Sequence, residues 1–193
     1  MTDLLQTKDD LRRTMRGRRR DLAALAPDAA ERAAAQLPLE ALPPFAVAAG
    51  YHAVGAELSP WPTLRRLQAA GARIVMPAAP APRAPLLFRA FEEGQPLEPD
   101  AARIPSPTAS APALTPDLVI APLIAFDREG YRLGQGGGYY DRTLAALRAG
   151  GRLFVIGLAY AGQEVDRIPR GAHDQPLDAI LTESGYHRLR RDD

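Results

Sequence analysis

The sequence contains no cysteine, and this excludes several classes of protein. A disulfide framework, thiolate chemistry and a cysteine-ligated zinc site are all impossible. Long apolar runs are also missing: none reaches membrane-spanning length, and the charged first 20 residues lack the apolar core of a signal peptide. We therefore expect a soluble, cytoplasmic protein with no membrane partner.

A strong charge of either sign is absent as well. The net charge is +1 over 193 residues, which gives no general attraction to nucleic acid, so we expect no nucleic-acid partner. Protein partners cannot be named from the sequence. With 46% hydrophobic and 24% charged residues, the chain is predicted to form a single domain over residues 1–193, large enough to bury a core and an enclosed site.

Lysine is almost absent, since Lys8 is the one lysine among 24 basic residues. A chain that otherwise uses arginine can retain lysine where a compact ammonium group is needed, for example against a phosphate. Six arginines cluster between positions 12 and 20 and could form a nucleic-acid patch. Acidic residues interleave with them and no aromatic residues accompany them for base stacking, which favours a solvated helix face.

The most informative segment is the glycine-rich stretch 134–141, GQGGGYYD, preceded by Arg132. Glycine adopts positive φ and has no Cβ, so such a backbone can aim several N–H groups at one anion. The P-loop pattern is excluded because no lysine stands near the segment. The dinucleotide pattern is excluded because Tyr139 occupies its third glycine position. A flexible surface loop remains the alternative to a polyphosphate site.

Alternating strand-like and helix-like segments predict an α/β fold with a mostly parallel sheet covered by helices. Helices are predicted at 7–25, from 27 or 28 to 37, at 62–70 and at 140–148. Strands are predicted at 45–51, 73–76 (stopped by Pro77), 86–91, 118–126 and 153–158. Residues 77–116, which hold ten of the nineteen prolines, are interpreted as an ordered excursion rather than a linker.

Ligands of parallel-sheet proteins collect beyond the carboxyl ends of the strands. The loops after Tyr51, Phe126 and Leu158 should therefore form the site. They contain His52, Glu57, the glycine-rich segment, Asp166, Arg167, Arg170, His173 and Asp174. Taken alone, Glu57 is also compatible with a solvated loop, His52 with a surface or core position, and the His173-Asp174 pair with a simple turn.

Motifs along nearly the whole chain occur in the order typical of one family. The central and most specific motif is segment 121–142, APLIAFDREGYRLGQGGGYYDR. The others are Lys8 with Leu11 and Arg12, Tyr51 with Glu57, Val75-Met76-Pro77, His173-Asp174, and segment 177–183. This set resembles the 5-formyltetrahydrofolate cyclo-ligase family, also called 5,10-methenyltetrahydrofolate synthetases.

The resemblance implies a three-layer α/β/α sandwich around a mostly parallel mixed sheet. It also implies an ATP- and Mg²⁺-dependent enzyme that converts 5-formyltetrahydrofolate to 5,10-methenyltetrahydrofolate, ADP and phosphate. In that reaction ATP phosphorylates the formyl oxygen on N5, and N10 then attacks the activated carbon while phosphate leaves.

Site residues follow from the resemblance position by position. ATP would contact Lys8, Arg12, Arg132, Leu133, Gly134, Gln135, Gly136, Gly137, Gly138, Tyr139 and Tyr140. The folate would contact His52, Glu57, Gln135, Gly136, Gly137, Gly138 and Tyr139. Asp141 and Asp174 match the magnesium positions. Two hard carboxylates that share Mg²⁺ with phosphate oxygens and water are the coordination this ion prefers.

Two segments depart from the family pattern. Ser106-Pro107 stands where relatives commonly have Glu-Pro, and Ser59-Pro60-Trp61 replaces a segment that usually contains threonine. We expect both near the folate side, where they would affect substrate range. Two other functions stay open: an ATP-using paralogue acting on another formylated or pterin-like substrate, and a non-catalytic nucleotide- or RNA-binding protein using the N-terminal arginines.

Overall fold

The centre of the fold is a mixed sheet covered by helices. The computed structural model describes residues 2–189, with side chains from residue 7 onward. In that range the strands are β1 (Val47–Ala49), β2 (Arg73–Ala78), β3 (Leu87–Ala90), β4 (Leu97–Pro99), β5 (Pro105–Pro107), β6 (Leu118–Pro122), β7 (Ala125–Phe126), β8 (Arg132–Leu133), β9 (Phe154–Leu158), β10 (Ala179–Thr182) and β11 (Gly185–Arg188). The α-helices are α1 (Thr2–Leu25), α2 (Ala29–Gln36), α3 (Trp61–Ala69) and α4 (Tyr139–Gly150), and short 3₁₀ helices lie at Leu39–Ala41 and Ala161–Gln163.

Seven of these strands form the main sheet in the order β11-β10-β9-β6-β1-β2-β3. The five inner strands are parallel, whereas β3 and β11 pair antiparallel at the two edges. All residues of β9 are buried, as are the first four of β6, because helices cover both faces of the sheet. Continuous apolar runs are what such strands require.

Helices on opposite faces produce the three layers. Ala33 of α2 and Leu64 of α3 share a core cluster with Ile120 and Ile156 on one face of the sheet. Leu144 of α4 packs on the other face, with Val119 among its core neighbours. The expected three-layer α/β/α arrangement around a mostly parallel mixed sheet is confirmed. That the chain forms one domain stays a prediction, and Met1 and residues 190–193 lie outside the described range.

Helix α1 packs on a small hairpin beside the main sheet. The hairpin is formed by β7 and β8, which pair antiparallel, and its buried Leu133 clusters with Met15 of α1 and Ile168. This contact brings one long side of α1 against the glycine-rich segment, which follows β8 directly. No helix in the range 2–189 has both the length and the apolar character needed to cross a bilayer.

The observed strands differ from the prediction in three ways. The apolar run 118–126 divides into β6 and β7, because after Pro122 the chain leaves the main sheet to form the hairpin. Strand β2 continues through Pro77 to Ala78, where β3 is its neighbour on one side and β1 has already ended, so a missing N–H is tolerated. Strands β4, β5, β8, β10 and β11 were not predicted.

The proline-rich stretch 77–116 is built from short strands. It contains β3 and a separate two-stranded sheet formed by β4 and β5. The Asp100 carboxylate accepts hydrogen bonds from three backbone N–H groups, those of Ala79, Ala102 and Ile104. This single side chain therefore holds the stretch against the end of β2.

Candidate active site

One cavity of about 580 Å³ lies at the carboxyl ends of the parallel strands β1 and β6. All fifteen residues that the sequence assigned to ATP, folate or metal line it, whereas Asp166, Arg167, Arg170 and His173 do not. The lining residues that follow strands come together because the loops after parallel strands meet at one edge of the sheet.

The glycine-rich segment forms one wall of the cavity and leads directly into a helix. Gly136 has φ +104° and Gly138 has φ +65°, both in the region that favours glycine. Gly138 is the residue before α4, which begins at Tyr139, one residue earlier than predicted. The helix N-terminus therefore faces the cavity, and its unpaired N–H groups and dipole favour an anion there.

Lys8 and Asp174 form an ion pair in the cavity wall. The Lys8 ammonium lies 2.5 Å from Asp174 Oδ2, and the two side chains are 11% and 20% exposed. The same oxygen accepts a hydrogen bond from the Gly171 backbone N–H at 2.7 Å. Asp174 Oδ1 accepts no hydrogen bond from the described part of the chain.

A second ion pair joins strand β8 to helix α4. Arg132 Nη2 donates to Asp141 Oδ1 at 2.8 Å, and the Arg132 side chain is only 3% exposed. The Gln175 backbone N–H donates to the same Asp141 oxygen at 3.1 Å, and Arg132 Nη1 donates to the Gln175 carbonyl at 2.5 Å. Because Gln175 follows Asp174 in the chain, these bonds hold the two carboxylates in one part of the cavity.

Arg12 attaches helix α1 to the start of the glycine-rich segment. Its Nε donates to the Gly134 carbonyl at 2.9 Å, and its Nη1 donates to Asp9 Oδ1 at 2.6 Å. A Cβ built on Gly136 would lie 3.5 Å from the Arg12 guanidinium carbon, so this cation lies directly against the glycine backbone. Fixed positive charge and bare backbone amides therefore adjoin each other.

Glu57 belongs to another part of the cavity wall and is held by three donors. Its Oε1 accepts from Arg19 Nη1 at 3.3 Å and from Gln135 Nε2 at 3.1 Å, and its Oε2 accepts from the Val54 backbone N–H at 3.0 Å. Arg16 in turn donates to Gln135 Oε1 at 2.9 Å. Gln135 thus connects α1, the glycine-rich segment and the Glu57 wall.

Two tyrosine hydroxyls lie near Glu57 within the buried part of the wall. Burial raises the pKa of Tyr140 above its ordinary value, and the nearby Glu57 charge adds to this rise. The pKa of Tyr51 is raised by the same two causes in the same order. Tyr51 donates to the Leu58 carbonyl, whereas the buried Tyr140 hydroxyl has no hydrogen-bond partner among residues 2–189. Both hydroxyls are therefore protonated at neutral pH.

Sequence reasoning missed two cavity residues on α1, Arg16 and Arg19. It interpreted most of the N-terminal arginines as a solvated helix face, which is correct for Arg13, whose side chain is 80% exposed. The missed signal is spacing: Lys8 and the three cavity arginines follow one another at intervals of four, four and three residues, which places them on one side of a helix.

The two departures from the family pattern lie outside the cavity wall. Trp61 packs against Phe91, with ring centroids 6.0 Å apart. Ser106 is buried in β5 and donates to the Glu98 carbonyl at 3.2 Å. Neither these residues nor Ser59 and Pro60 line the cavity, so the expectation that they affect substrate range has no direct contact to support it.

The carboxylates of the cavity fit a divalent cation only together with other ligands. Among the residues whose side chains the structure describes, 7–189, no cluster of three or more histidine, aspartate or glutamate side chains could hold a metal. Asp141 and Asp174 nevertheless fit a Mg²⁺ that takes its remaining ligands from phosphate and water. Each has one carboxylate oxygen that accepts no hydrogen bond from the described residues, and both belong to the same cavity wall.

An α/β sheet with cations, backbone amides and carboxylates at the carboxyl ends of its strands defines a protein that binds anionic ligands. The model of the 5-formyltetrahydrofolate cyclo-ligase family matches residues 5–183. The chain belongs to this family and is an enzyme of that kind.

Individual relatives agree with the family match. The chain is 35% identical to 5-formyltetrahydrofolate cyclo-ligase of Escherichia coli strain K12 over 133 residues, which cover 66% of this chain and 72% of the relative. It is 32% identical to the Mycolicibacterium smegmatis cyclo-ligase, covering 68% of this chain and 71% of the relative.

Solved structures show the same fold. The Aquifex aeolicus 5,10-methenyltetrahydrofolate synthetase superposes with a TM-score of 0.76 at 27% identity, covering 96% of this chain and 94% of the other. The Mycoplasma pneumoniae 5,10-methenyltetrahydrofolate synthetase has a TM-score of 0.70 at 22% identity, covering 91% and 98%, and supports the fold alone.

Proposed function

We propose that the protein converts 5-formyltetrahydrofolate to 5,10-methenyltetrahydrofolate at the expense of ATP, which leaves as ADP and phosphate. The observation that carries this proposal is that all fifteen expected ligand-binding residues meet in one cavity, in a chain of the cyclo-ligase family. A cavity of about 580 Å³ is within the range used for small-molecule substrates.

ATP is assigned to the wall formed by α1, the glycine-rich segment and the N-terminus of α4. Lys8 and Arg12 supply positive charge, and the backbone amides from Gly134 to Tyr140 supply donors that need no side chain to move. For phosphoryl transfer a protein mainly positions the reactants and neutralises charge. The helix N-terminus at Tyr139 adds to the same electrostatic field.

Asp141 and Asp174 are proposed to hold Mg²⁺ through the two oxygens that accept no hydrogen bond within residues 2–189. When bound, the ion would neutralise negative charge that develops on the phosphate groups. Arg132 holds the other oxygen of Asp141, and Lys8 holds the other oxygen of Asp174. These two ion pairs fix the orientation of both carboxylate side chains. The chain's own contribution is therefore a pre-oriented pair of ligands.

The folate is assigned to the wall that contains Glu57 and His52. A carboxylate can accept hydrogen bonds from the 2-amino group and the ring N–H of a pterin. Gln135, which is exposed and donates to Glu57, is the group that an incoming pterin would displace. The segment from Gln135 to Tyr139 would then lie between the two substrates.

This arrangement serves a two-step ring closure. The formyl oxygen attacks the γ-phosphorus and the bond to ADP breaks, which converts a poor leaving group into a phosphate ester. N10 then attacks the formyl carbon, N10 loses its proton, and the carbon–oxygen bond to phosphate breaks. Backbone donors and cations stabilise the negative charge in both steps. Keeping both substrates in one enclosed site prevents water from intercepting the activated formyl group.

Substrate-dependent ATP consumption tests the proposal. Purified protein with Mg²⁺, ATP and 5-formyltetrahydrofolate should form the methenyl product, measured by its ultraviolet absorbance, with one ADP released per product. Without the folate, ADP release should fall to background. Failure to form methenyl product would reject the proposal, and tight RNA binding without turnover would support a non-catalytic role. The cytoplasmic location expected from the sequence stays a prediction.

A further inference from the structure

Arg19 is a buried cation with more donors than the protein satisfies. Its side chain is 8% exposed, and Nη1 is shared between Glu57 Oε1 and the Leu123 carbonyl, each at 3.3 Å. Its Nε is buried without a partner among the described residues. Its Nη2, which is not one of the buried unpartnered atoms, donates to no acceptor in the described part of the chain. Because buried donors are nearly always satisfied, this guanidinium lacks an acceptor that a ligand could supply.

Arg19 and Glu57 line the same cavity, and the Val54 N–H fixes the second oxygen of Glu57. Neighbouring carboxylate and guanidinium groups present hydrogen-bond acceptors beside donors. The complement of this pair is a planar ligand edge that carries two N–H donors followed by an oxygen acceptor. A 2-amino-4-oxopteridine has this edge: its 2-amino group, its N3–H and its 4-oxo oxygen.

We propose that Arg19 is a specificity-determining residue that donates a hydrogen bond to the 4-oxo oxygen while Glu57 accepts from the 2-amino group and N3–H. This inference rests on the proposed function, since it assigns the pterin to the Glu57 wall. A purely structural Arg19 would instead dock α1 through Glu57 and the Leu123 carbonyl. That role predicts no preference between 4-oxo and 4-amino ligands.

The test compares the binding of 5-formyltetrahydrofolate with that of its 4-amino-4-deoxy counterpart by titration calorimetry. The native protein should prefer the 4-oxo ligand, because a 4-amino group would place a donor against the guanidinium. Arg19→Met keeps most of the apolar stem and removes the donors. It should weaken the 4-oxo ligand about 10- to 100-fold, the loss expected for a charge-assisted hydrogen bond, and reduce the 4-oxo preference by a similar factor. The KM for ATP should not change.

Arg13→Met is the matched control, because Arg13 lies on the same helix, is 80% exposed and, within the described part of the chain, forms an ion pair with Asp10 alone. It should leave both affinities unchanged. Equal weakening of the two ligands by Arg19→Met would overturn the inference and leave Arg19 a structural role. If that variant does not unfold cooperatively, Arg19→Gln, which retains one amide donor for Glu57, answers the same question. A native protein that binds neither ligand and forms no methenyl product would refute the proposed function instead.

Discussion

Replacing Gly136 with alanine should strain the glycine-rich segment, and Gly134→Ala is its matched control. Gly136 has φ +104°, which costs an L-residue about 1–3 kcal/mol, whereas Gly134 has ordinary φ and open space where its Cβ would lie. Both substitutions restrict the unfolded chain and gain the same ~0.4–1 kcal/mol. The difference between the two variants therefore isolates the backbone strain.

For a chain of this size, each kcal/mol shifts the melting temperature by about 2–4 °C. Gly136→Ala should therefore melt roughly 2–12 °C below Gly134→Ala in calorimetry or circular dichroism, by the product of that shift and about 1–3 kcal/mol. Equal melting temperatures would refute the reasoning that a special backbone conformation requires glycine at position 136.

The same variant tests the assignment of ATP. The added methyl group itself would make only an ordinary contact, 3.5 Å from the Arg12 guanidinium carbon, but relief of the strain at φ +104° would move the backbone amides that adjoin this cation. We expect the KM for ATP to rise several-fold while the KM for 5-formyltetrahydrofolate changes less, measured from initial rates of methenyl formation. A destabilised Gly136→Ala variant with an unchanged KM for ATP would remove this backbone from the nucleotide site.

Asp141→Asn should abolish turnover while the protein still unfolds cooperatively. The surface variant Asp28→Asn is its control. Near-normal activity of Asp141→Asn at ordinary Mg²⁺ would remove Asp141 from the metal site. Lys8→Met should raise the KM for ATP about 10- to 100-fold with little effect on the folate KM, and an unchanged KM for ATP would contradict a phosphate contact. Burial, and next the Glu57 charge, raise the pKa of Tyr140 in the folded protein. The protonated Tyr140 side chain therefore contributes its full stability below the unfolded-state pKa of about 10. This contribution is lost as pH rises through the higher folded-state pKa. Above pH ~10 the melting temperature of the native protein should fall more steeply than that of Tyr140→Phe; parallel curves would contradict this.

The inner strands of the sheet were predictable because their residues are buried on both sides. The runs that became β6 and β9 are continuously apolar, so no choice of face had to be made. Strand β10, with only four residues, is too short for its period to distinguish it from a loop. Its identity depends on pairing with β9, which lies about 20 residues earlier in the chain.

The hairpin of β7 and β8 shows why the residues of the cavity were easier to predict from the sequence than the contacts between them. The residues of segment 121–142 match a specific motif, but nothing in the motif indicates that Phe126 leaves the main sheet and pairs with Arg132. That pairing orients the Arg132 side chain toward Asp141 and forms the surface on which α1 packs. Contacts between segments, rather than residue types, were missing from the prediction.

Charge balance within the cavity constrains the form in which ATP can bind. Four cations of the wall are matched by four carboxylates in the ion pairs Lys8–Asp174, Arg12–Asp9, Arg19–Glu57 and Arg132–Asp141. Two further lining groups, Arg16 and Asp100, add one charge of each sign. A triphosphate added to this balanced set would bring several uncompensated negative charges into a partly buried site, which is unfavourable. A divalent cation that enters with the phosphates reduces that excess. Binding of ATP should therefore weaken strongly when Mg²⁺ is chelated, and an equal affinity for ATP with and without Mg²⁺ would show that this balance does not control binding.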